Sequence, residues 1–240
     1  MKLIKLTGIV LISLLAILTT AQSSFCEEKK PQLKQGPQNK QHNYKHPEGQ
    51  HRFKNAETWV KRFESRERDE WQKPEAVIKA LELTGNEIVA DIGSATGYFP
   101  VRFAKALPKG RVYGIDIEKG MVGYLNDRAK REGLSNLSSI LGEPDNPKLP
   151  EQVDMVFICN TYHHIENRQH YFDTLKKSIS AEGKLVIIDF LKGSIPVGPP
   201  DSMKLAAESV ISELSGAGYR LVQKPEILPY QYVLIFQTAE

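Results

Sequence analysis

Along most of the chain, short apolar runs alternate with longer stretches in which apolar positions recur every three or four residues. The runs read as strands and the spaced stretches as amphipathic helices. The first run is Ile88, Val89, Ala90 and Ile92, with Asp91 at its end. A turn bracketed by Gly93 and Gly97 follows, leading into an amphipathic helix through Phe103. Arg111 to Ile117 is a second strand carrying an acid near its end. Met121 to Glu132 is a helix stopped at Gly133, and Leu137 to Leu141 is a short third strand. Val153 to Cys159 reads as a strand buried on both faces, Arg168 to Ile179 as a helix, and Lys184 to Phe190 as another buried strand. Alternation of this kind implies parallel crossover units, hence a doubly wound sheet whose site lies at the strand C-terminal ends.

The alternation breaks after Phe190. A Gly/Pro-rich loop leads to a helix from about Ser202 to Leu214. Two last strands, YRLVQKPEIL and YQYVLIFQT, are then joined by a tight link at Pro229. So short a link cannot make a parallel crossover, so the pair is an antiparallel hairpin. The expected fold is α/β: a doubly wound, Rossmann-like sheet of seven strands ending in that hairpin. Before the first strand, Phe53, Trp59, Val60 and Phe63 share a helical face. Pro74 opens a further helix with Glu75 in its first turn, and Gly85 and Asn86 end it. These helices form an N-terminal cap, with Trp71 and Gln72 available to roof the site.

Composition adds little to this picture. The 240 residues are 40% hydrophobic and 25% charged, with a net charge of +3, and no basic patch argues for nucleic acid as a partner. Two cysteines, Cys26 and Cys159, define no disulfide framework, and Cys159 sits in an apolar run as a core residue would.

The candidate chemistry lies in the glycine turn and the strand ends. The turn reads Asp91-Ile-Gly93-Ser94-Ala95-Thr-Gly97-Tyr98, and Asp116 stands where a ribose-binding acid belongs after such a turn. A dinucleotide fingerprint would need glycines at Ala95 and Tyr98, so a nicotinamide or flavin dehydrogenase is disfavoured. From about Lys73 to Glu240 the chain resembles the class I S-adenosylmethionine-dependent methyltransferases, whose D-x-G-x-G-x-G motif it matches except for Ala95 in place of the middle glycine. The resemblance implies S-adenosylmethionine as cofactor and a methyl transfer as the activity. It places Asp91, Gly93, Ser94, Gly97 and Tyr98 around the methionine and ribose end, with Asp116 on the ribose hydroxyls and Ile117 beside the adenine. It also implies Glu143 at the adenine amino group, with Asp145 as the other candidate, and Asn160 in the polar turn facing the methyl donor.

A sulfonium methyl group is already activated, so the protein must chiefly align the acceptor and exclude water. His163 and His164 are the candidate general bases, with Tyr162 and Glu166 behind them; the same histidines could instead hold the loop by hydrogen bonds. No metal site is expected. A small-molecule methyl acceptor follows by exclusion, and no oligomeric state can be read. The other reading is a non-catalytic protein that binds S-adenosylmethionine or a related nucleoside.

Residues 1–23 have the layout of a signal peptide: Lys2 and Lys5, the apolar run Ile9 to Leu18, then small residues with cleavage points after Ala21 or Ser23. The run is shorter than the roughly 20 residues a spanning helix needs. Residues 24–55 read as a disordered polar linker. In it, His42, His46 and His51 lack a ligand pattern. The methyltransferase domain with its cap takes 56–240. Export to a periplasm or the outside is the expectation. Membrane association through the N-terminus, with the catalytic domain inside, is the alternative; Lys29, Lys30 and Lys34 nearly balance Lys2, Lys5 and the N-terminal amine, so charge asymmetry does not set the orientation.

Overall fold

The computed structural model describes residues 56–239. The expected signal peptide, the linker, Phe53 and the three linker histidines lie outside the described residues. Three short helices come first: α1 (Ala56–Phe63), α2 (Arg66–Gln72) and α3 (Pro74–Ala80). There follow β1 (Ile88–Ile92), α4 (Pro100–Ala106), β2 (Arg111–Asp116), α5 (Lys119–Arg131), β3 (Leu137–Leu141) and β4 (Val153–Cys159). A 3₁₀ turn (Tyr162–His164) leads to α6 (Arg168–Lys176), then β5 (Ile179–Phe190), a second 3₁₀ turn (Asp201–Met203), α7 (Ala207–Gly216), β6 (Tyr219–Gln223) and β7 (Gln231–Thr238). Among the described residues no helix is long and apolar enough to cross a membrane.

The seven strands form one sheet in the order β3-β2-β1-β4-β5-β7-β6. All neighbouring pairs are parallel except those made by β7, which runs antiparallel to β5 and β6. This is the doubly wound sheet with a terminal hairpin that the alternation implies. β1 pairs with β2 on one side and β4 on the other, so the winding reverses there and opens a crevice above its C-terminal end. Strand periodicity sends alternate side chains to opposite faces. Val89, Phe157, Val186 and Ile235 pack under Val77 of α3, Phe103 of α4 and Leu125 of α5. Ala90, Val156, Ile187 and Leu234 pack under Phe172 of α6 and Val210 and Leu214 of α7.

Several boundaries differ from the sequence expectation. α3 stops at Ala80 rather than near Gly85, and Glu82 takes a left-handed φ of 53°. α6 ends at Lys176, and Ile179 already belongs to β5. A bulge opens where Val153 pairs with Ile179 but Met155 pairs with Lys184. α7 begins at Ala207 instead of Ser202, because Asp201 is engaged elsewhere: its side chain accepts the Gly193 N–H at 2.6 Å and its carbonyl accepts Lys192 Nζ at 3.0 Å. The hairpin link is the longer segment Lys224 to Tyr230, not a tight turn at Pro229. α2 was not separated by the apolar pattern, since RERDEWQ has one apolar residue. Ser65 caps it by accepting the Arg68 N–H at 3.3 Å, and Asp69 ties it to Arg102 of α4 at 3.0 Å.

Candidate functional site

The strand-end crevice is floored by the turn after β1. Gly93 has φ +79°, and a methyl group there would overlap the Thr161 side chain, reaching 2.8 Å from its Cβ. Gly97 has φ +97°, and a methyl there would strike Leu125. Both positions require glycine, for space and for dihedral. Ala95 also sits in left-handed space, at φ 45°, so the replaced glycine keeps the conformation a glycine would take. The turn's N–H groups point inward. Those of Gly93 and Ser94 donate to the Ile115 carbonyl at 2.8 and 3.1 Å, and that of Ala95 donates to Asp116 Oδ2 at 2.9 Å. These three N–H groups of the turn are thus committed, and recognition passes to side chains.

Asp116 is the principal one. Its other oxygen accepts the Glu118 N–H at 2.9 Å, so each carboxylate oxygen holds one backbone donor and keeps acceptor capacity toward the crevice. Burial raises its pKa above the usual carboxylate value, and the N–H groups of Glu118 and Ala95 pull it back. Ile117 beside it is 47% exposed, as is Leu141, which pairs with Asp116 across β2 and β3. An acceptor carboxylate next to an exposed apolar ledge fits a ribose diol carrying a flat base. Asp91 is buried at the end of β1. Burial holds its carboxyl well above the ordinary range, with Asp116 adding to the rise and Arg68 opposing it.

Other expected residues are placed differently. Ser94 is buried with its hydroxyl unpartnered, close to Gly114, where an added methyl would come within 3.0 Å of it. Tyr98 is 3% exposed. Its ring lies between the guanidinium groups of Arg68 (3.7 Å) and Arg102 (4.1 Å), and its hydroxyl donates to Asp69 at 2.6 Å. No ring face is left for a ligand; Tyr98 fastens α2 to α4. Glu143 lies in the loop after β3 and is ion-paired with Lys148.

Across the crevice, Asn160 follows β4 at φ 59° and joins a buried amide network. Its Nδ2 donates to Gln72 Oε1 at 3.3 Å, Gln72 Nε2 donates to Gln231 Oε1 at 2.6 Å, and Gln231 Nε2 donates back to Asn160. Gln72 thus bolts the cap to the ends of β4 and β7, and Trp71 packs on Phe190 at 5.9 Å between ring centroids. Beside this network, Cys159 is buried, which pushes its thiol pKa up. His163 has a side chain only 3% exposed, and Asp189, at the end of β5, is 1% exposed. His163 Nδ1 lies 2.8 Å from Asp189 Oδ2, and the His163 and Phe190 N–H groups also donate to that carboxylate, at 3.3 and 2.8 Å. Nδ1 therefore carries the proton, and Nε2 takes no hydrogen bond from the described residues. His164 is exposed, and its ring lies 4.2 Å from that of His163, tilted by 41°.

Sequence reasoning missed Asp189 and Arg68. KLVIIDF ends a buried strand in an acid, as RVYGIDI does, so Asp189 carried the same signal as Asp116. Arg68 carried none, being one charge in a charged stretch.

The model of a family described as "Methyltransferase domain" matches residues 83–216. A SAM-dependent methyltransferase from Aquifex aeolicus superposes with a TM-score of 0.71 at 27% identity, covering 76% of this chain and 98% of that one. Coclaurine N-methyltransferase, solved with N-methylheliamine and SAH, superposes at 0.54 and 15% identity over 64% of this chain and 50% of its own, a likeness of fold alone. In sequence, malonyl-[acyl-carrier protein] O-methyltransferase 1 of Ilyobacter polytropus is 22% identical over 63% of this chain, which spans only 60% of that relative's length. With more than half of its residues inside the family model and the family's sheet around them, the chain belongs to the methyltransferase-domain family.

Proposed function

We propose that the chain transfers a methyl group from S-adenosylmethionine to a small-molecule acceptor. The observation that carries this reading is Asp116, held by two backbone donors at the strand end with Ile117 exposed beside it. The inward N–H groups of Gly93, Ser94 and Ala95 add support. A pyrophosphate-bearing dinucleotide needs such donors free, whereas a nucleoside joined to an amino acid does not. When bound, the cofactor supplies an activated methyl group on sulfur. Asp116 would hold the ribose hydroxyls, Ile117 and Leu141 the adenine, Gly93 and Gly97 the close approach of the chain, and Asp91 the methionine end. Ser94, Glu143 and Asn160 remain in the proposed lining, Asn160 as part of the roof, while Tyr98 supports it from behind.

His163 is the proposed general base, ahead of His164. Asp189 is its positioning residue, keeping the proton on Nδ1 and turning Nε2 into an acceptor. Trp71 and the loop from Gly193 to Pro200 shape the acceptor's side. The loop folds onto the site: Gly198, at φ +91°, leaves no room for a methyl against the Phe190 ring at 2.6 Å.

Incubation with radiolabelled S-adenosylmethionine and a panel of hydroxyl, amine and thiol acceptors tests the reading. Turnover with at least one acceptor is expected, falling by about 10²-fold or more in H163A while S-adenosylhomocysteine still binds. Binding without any turnover would instead favour the non-catalytic nucleoside-binding protein. Ala95 leaves that alternative room, although its left-handed φ preserves the turn. Export by a signal peptide at 1–23, with 24–55 as linker, is part of the same proposal. A reporter active only outside the cytosol, fused after Asn55, should give signal; silence would refute export and favour a membrane-anchored enzyme facing inward.

A further inference from the structure

Asp189 is sparsely supported for a buried carboxylate. Its side chain is 1% exposed, and among the described residues its one ion-pair partner is His163, a neutral ring while it waits to act as a base. Three donors reach it: the His163 N–H, the His163 Nδ1–H and the Phe190 N–H. A carboxylate offers about four acceptor sites, so one stays open. A buried charge is costly unless its hydrogen bonds are filled.

Tyr232 stands beside it. β7 pairs Tyr232 directly with Asp189 of β5, and opposed residues of an antiparallel ladder share a face, with Cβ atoms about 4.5–5.5 Å apart. That face lies under α6 and α7, where the next pair along, Ile187 and Leu234, is packed. Tyr232 is 4% exposed, yet its hydroxyl is buried without a hydrogen-bond partner, and such a group calls for an explanation. Burial pushes its pKa up, Asp189, Tyr162 and Glu213 add to the rise and Arg168 opposes it, so the hydroxyl keeps its proton and stays a donor.

The polar neighbours narrow what that donor serves. Tyr162 of the 3₁₀ turn gives its proton to Glu213 of α7 at 2.8 Å, and Arg168 of α6 neutralises Glu213 at 2.6 Å. That cluster is balanced, while Asp189 has an open acceptor site and no cation. An orphan donor and an under-filled carboxylate on facing residues, with no direct bond between them, are the setting in which one buried water completes both.

We propose that Tyr232 is a positioning residue of the dyad, its hydroxyl donating across one bridging water to the open site of Asp189 and so setting the pull of that carboxylate on His163. A donor shared with Asp189 draws negative charge away from the imidazole, so the ring does not hold the acceptor's proton too tightly once it has taken it. The inference rests on the reading of His163 as the base, although the contact of Tyr232 with the dyad can be measured without turnover.

The experiment is an NMR titration of the His163 ring in the full chain, its signal assigned by its loss in H163A, for wild-type protein, Y232F, D189N and the double variant. The titration midpoint should rise by about 0.5–1 pH unit in Y232F, the effect of losing one hydrogen bond to the partner carboxylate. In the D189N background Y232F should add no shift. His164 lies beside His163 in all four proteins, so its own charge drops out of these differences. Thermal melts supply an independent sign: removing an idle buried hydroxyl would raise Tm, whereas removing an engaged one lowers it. With any acceptor that turns over, the acid limb of kcat should move up with the midpoint. An unchanged midpoint or a higher Tm in Y232F would overturn the inference. So would an equal shift in both backgrounds, which would give the hydroxyl to Glu213 instead. If the shift appears but H163A keeps full turnover, the base reading fails while the hold of Tyr232 on Asp189 stands.

Discussion

Replacing Ala95 by glycine should stabilise the protein without harming the site. Ala95 has φ 45°, in the left-handed region. An L-residue with a Cβ is penalised there by about 1–2 kcal/mol. Glycine escapes that penalty but gives up about 0.5–1 kcal/mol through the greater freedom of the unfolded chain. The difference leaves A95G more stable by about 0.5–1 kcal/mol, which in a domain of this size raises Tm by about 1–4 °C. The Ala95 N–H bond to Asp116 Oδ2, 2.9 Å long, survives the change, so affinity for S-adenosylhomocysteine should move little. A95V should go the other way by about 2 kcal/mol, because a β-branched residue is more strongly excluded from positive φ. Thermal melts monitored by circular dichroism, with urea titrations for ΔG, measure both. A lower Tm in A95G, or a neutral A95V, would refute a left-handed residue at this turn. It would also remove the reason for regarding Ala95 as a stand-in for the family's middle glycine.

Three further outcomes are expected. G93A should lose about 2–4 kcal/mol, from positive φ and overlap with Thr161, and T161A in the same chain should return only part of this because the overlap includes the Thr161 Cβ; urea unfolding of the pair measures it. Q72L should lose about 2–4 kcal/mol by leaving Gln231 Oε1 and Asn160 Nδ2 without partners in the core, and unchanged stability would mean the amide network is not closed. D91N should raise Tm near neutral pH while weakening S-adenosylhomocysteine. The folded-state pKa of Asp91 is raised by burial above its unfolded value, so the folded form binds its proton more tightly. Its contribution to stability is full below about pH 4 and is lost as pH rises through the folded value, so the advantage of D91N should appear at neutral pH and vanish at the acid end. A constant offset across pH would contradict the burial of that carboxyl.

How far the chain could be read without coordinates depended on whether a feature was local. β1, β3 and β4 begin and end where the apolar runs do, and the hairpin direction follows from the nearness of its strands in sequence. Asp116 was legible because it closes a strand a fixed distance after a glycine turn. The start of β5 was not, because Ile179 continues the apolar spacing of α6 into a bulged strand. α2 was invisible to periodicity: beyond its local Ser65 cap, it is held by Asp69 and the Tyr98 sandwich, contacts made across the sequence. Tyr98 looked like a loop residue facing a ligand for the same reason, since only folding brings Arg68 and Arg102 to its two faces. The dyad of His163 with Asp189 needs β4 and β5 side by side. One half was read from the sequence and the other was passed over, although its strand-final acid could have been noticed.

The central claim is that the crevice above β1 and β2 receives a nucleoside through Asp116. A crystal structure of the protein with S-adenosylhomocysteine measures this directly. The account predicts both ribose hydroxyls within hydrogen-bond distance of the Asp116 carboxylate and the adenine against Ile117. A nucleoside bound anywhere else, or a ribose with no contact to Asp116, would contradict it.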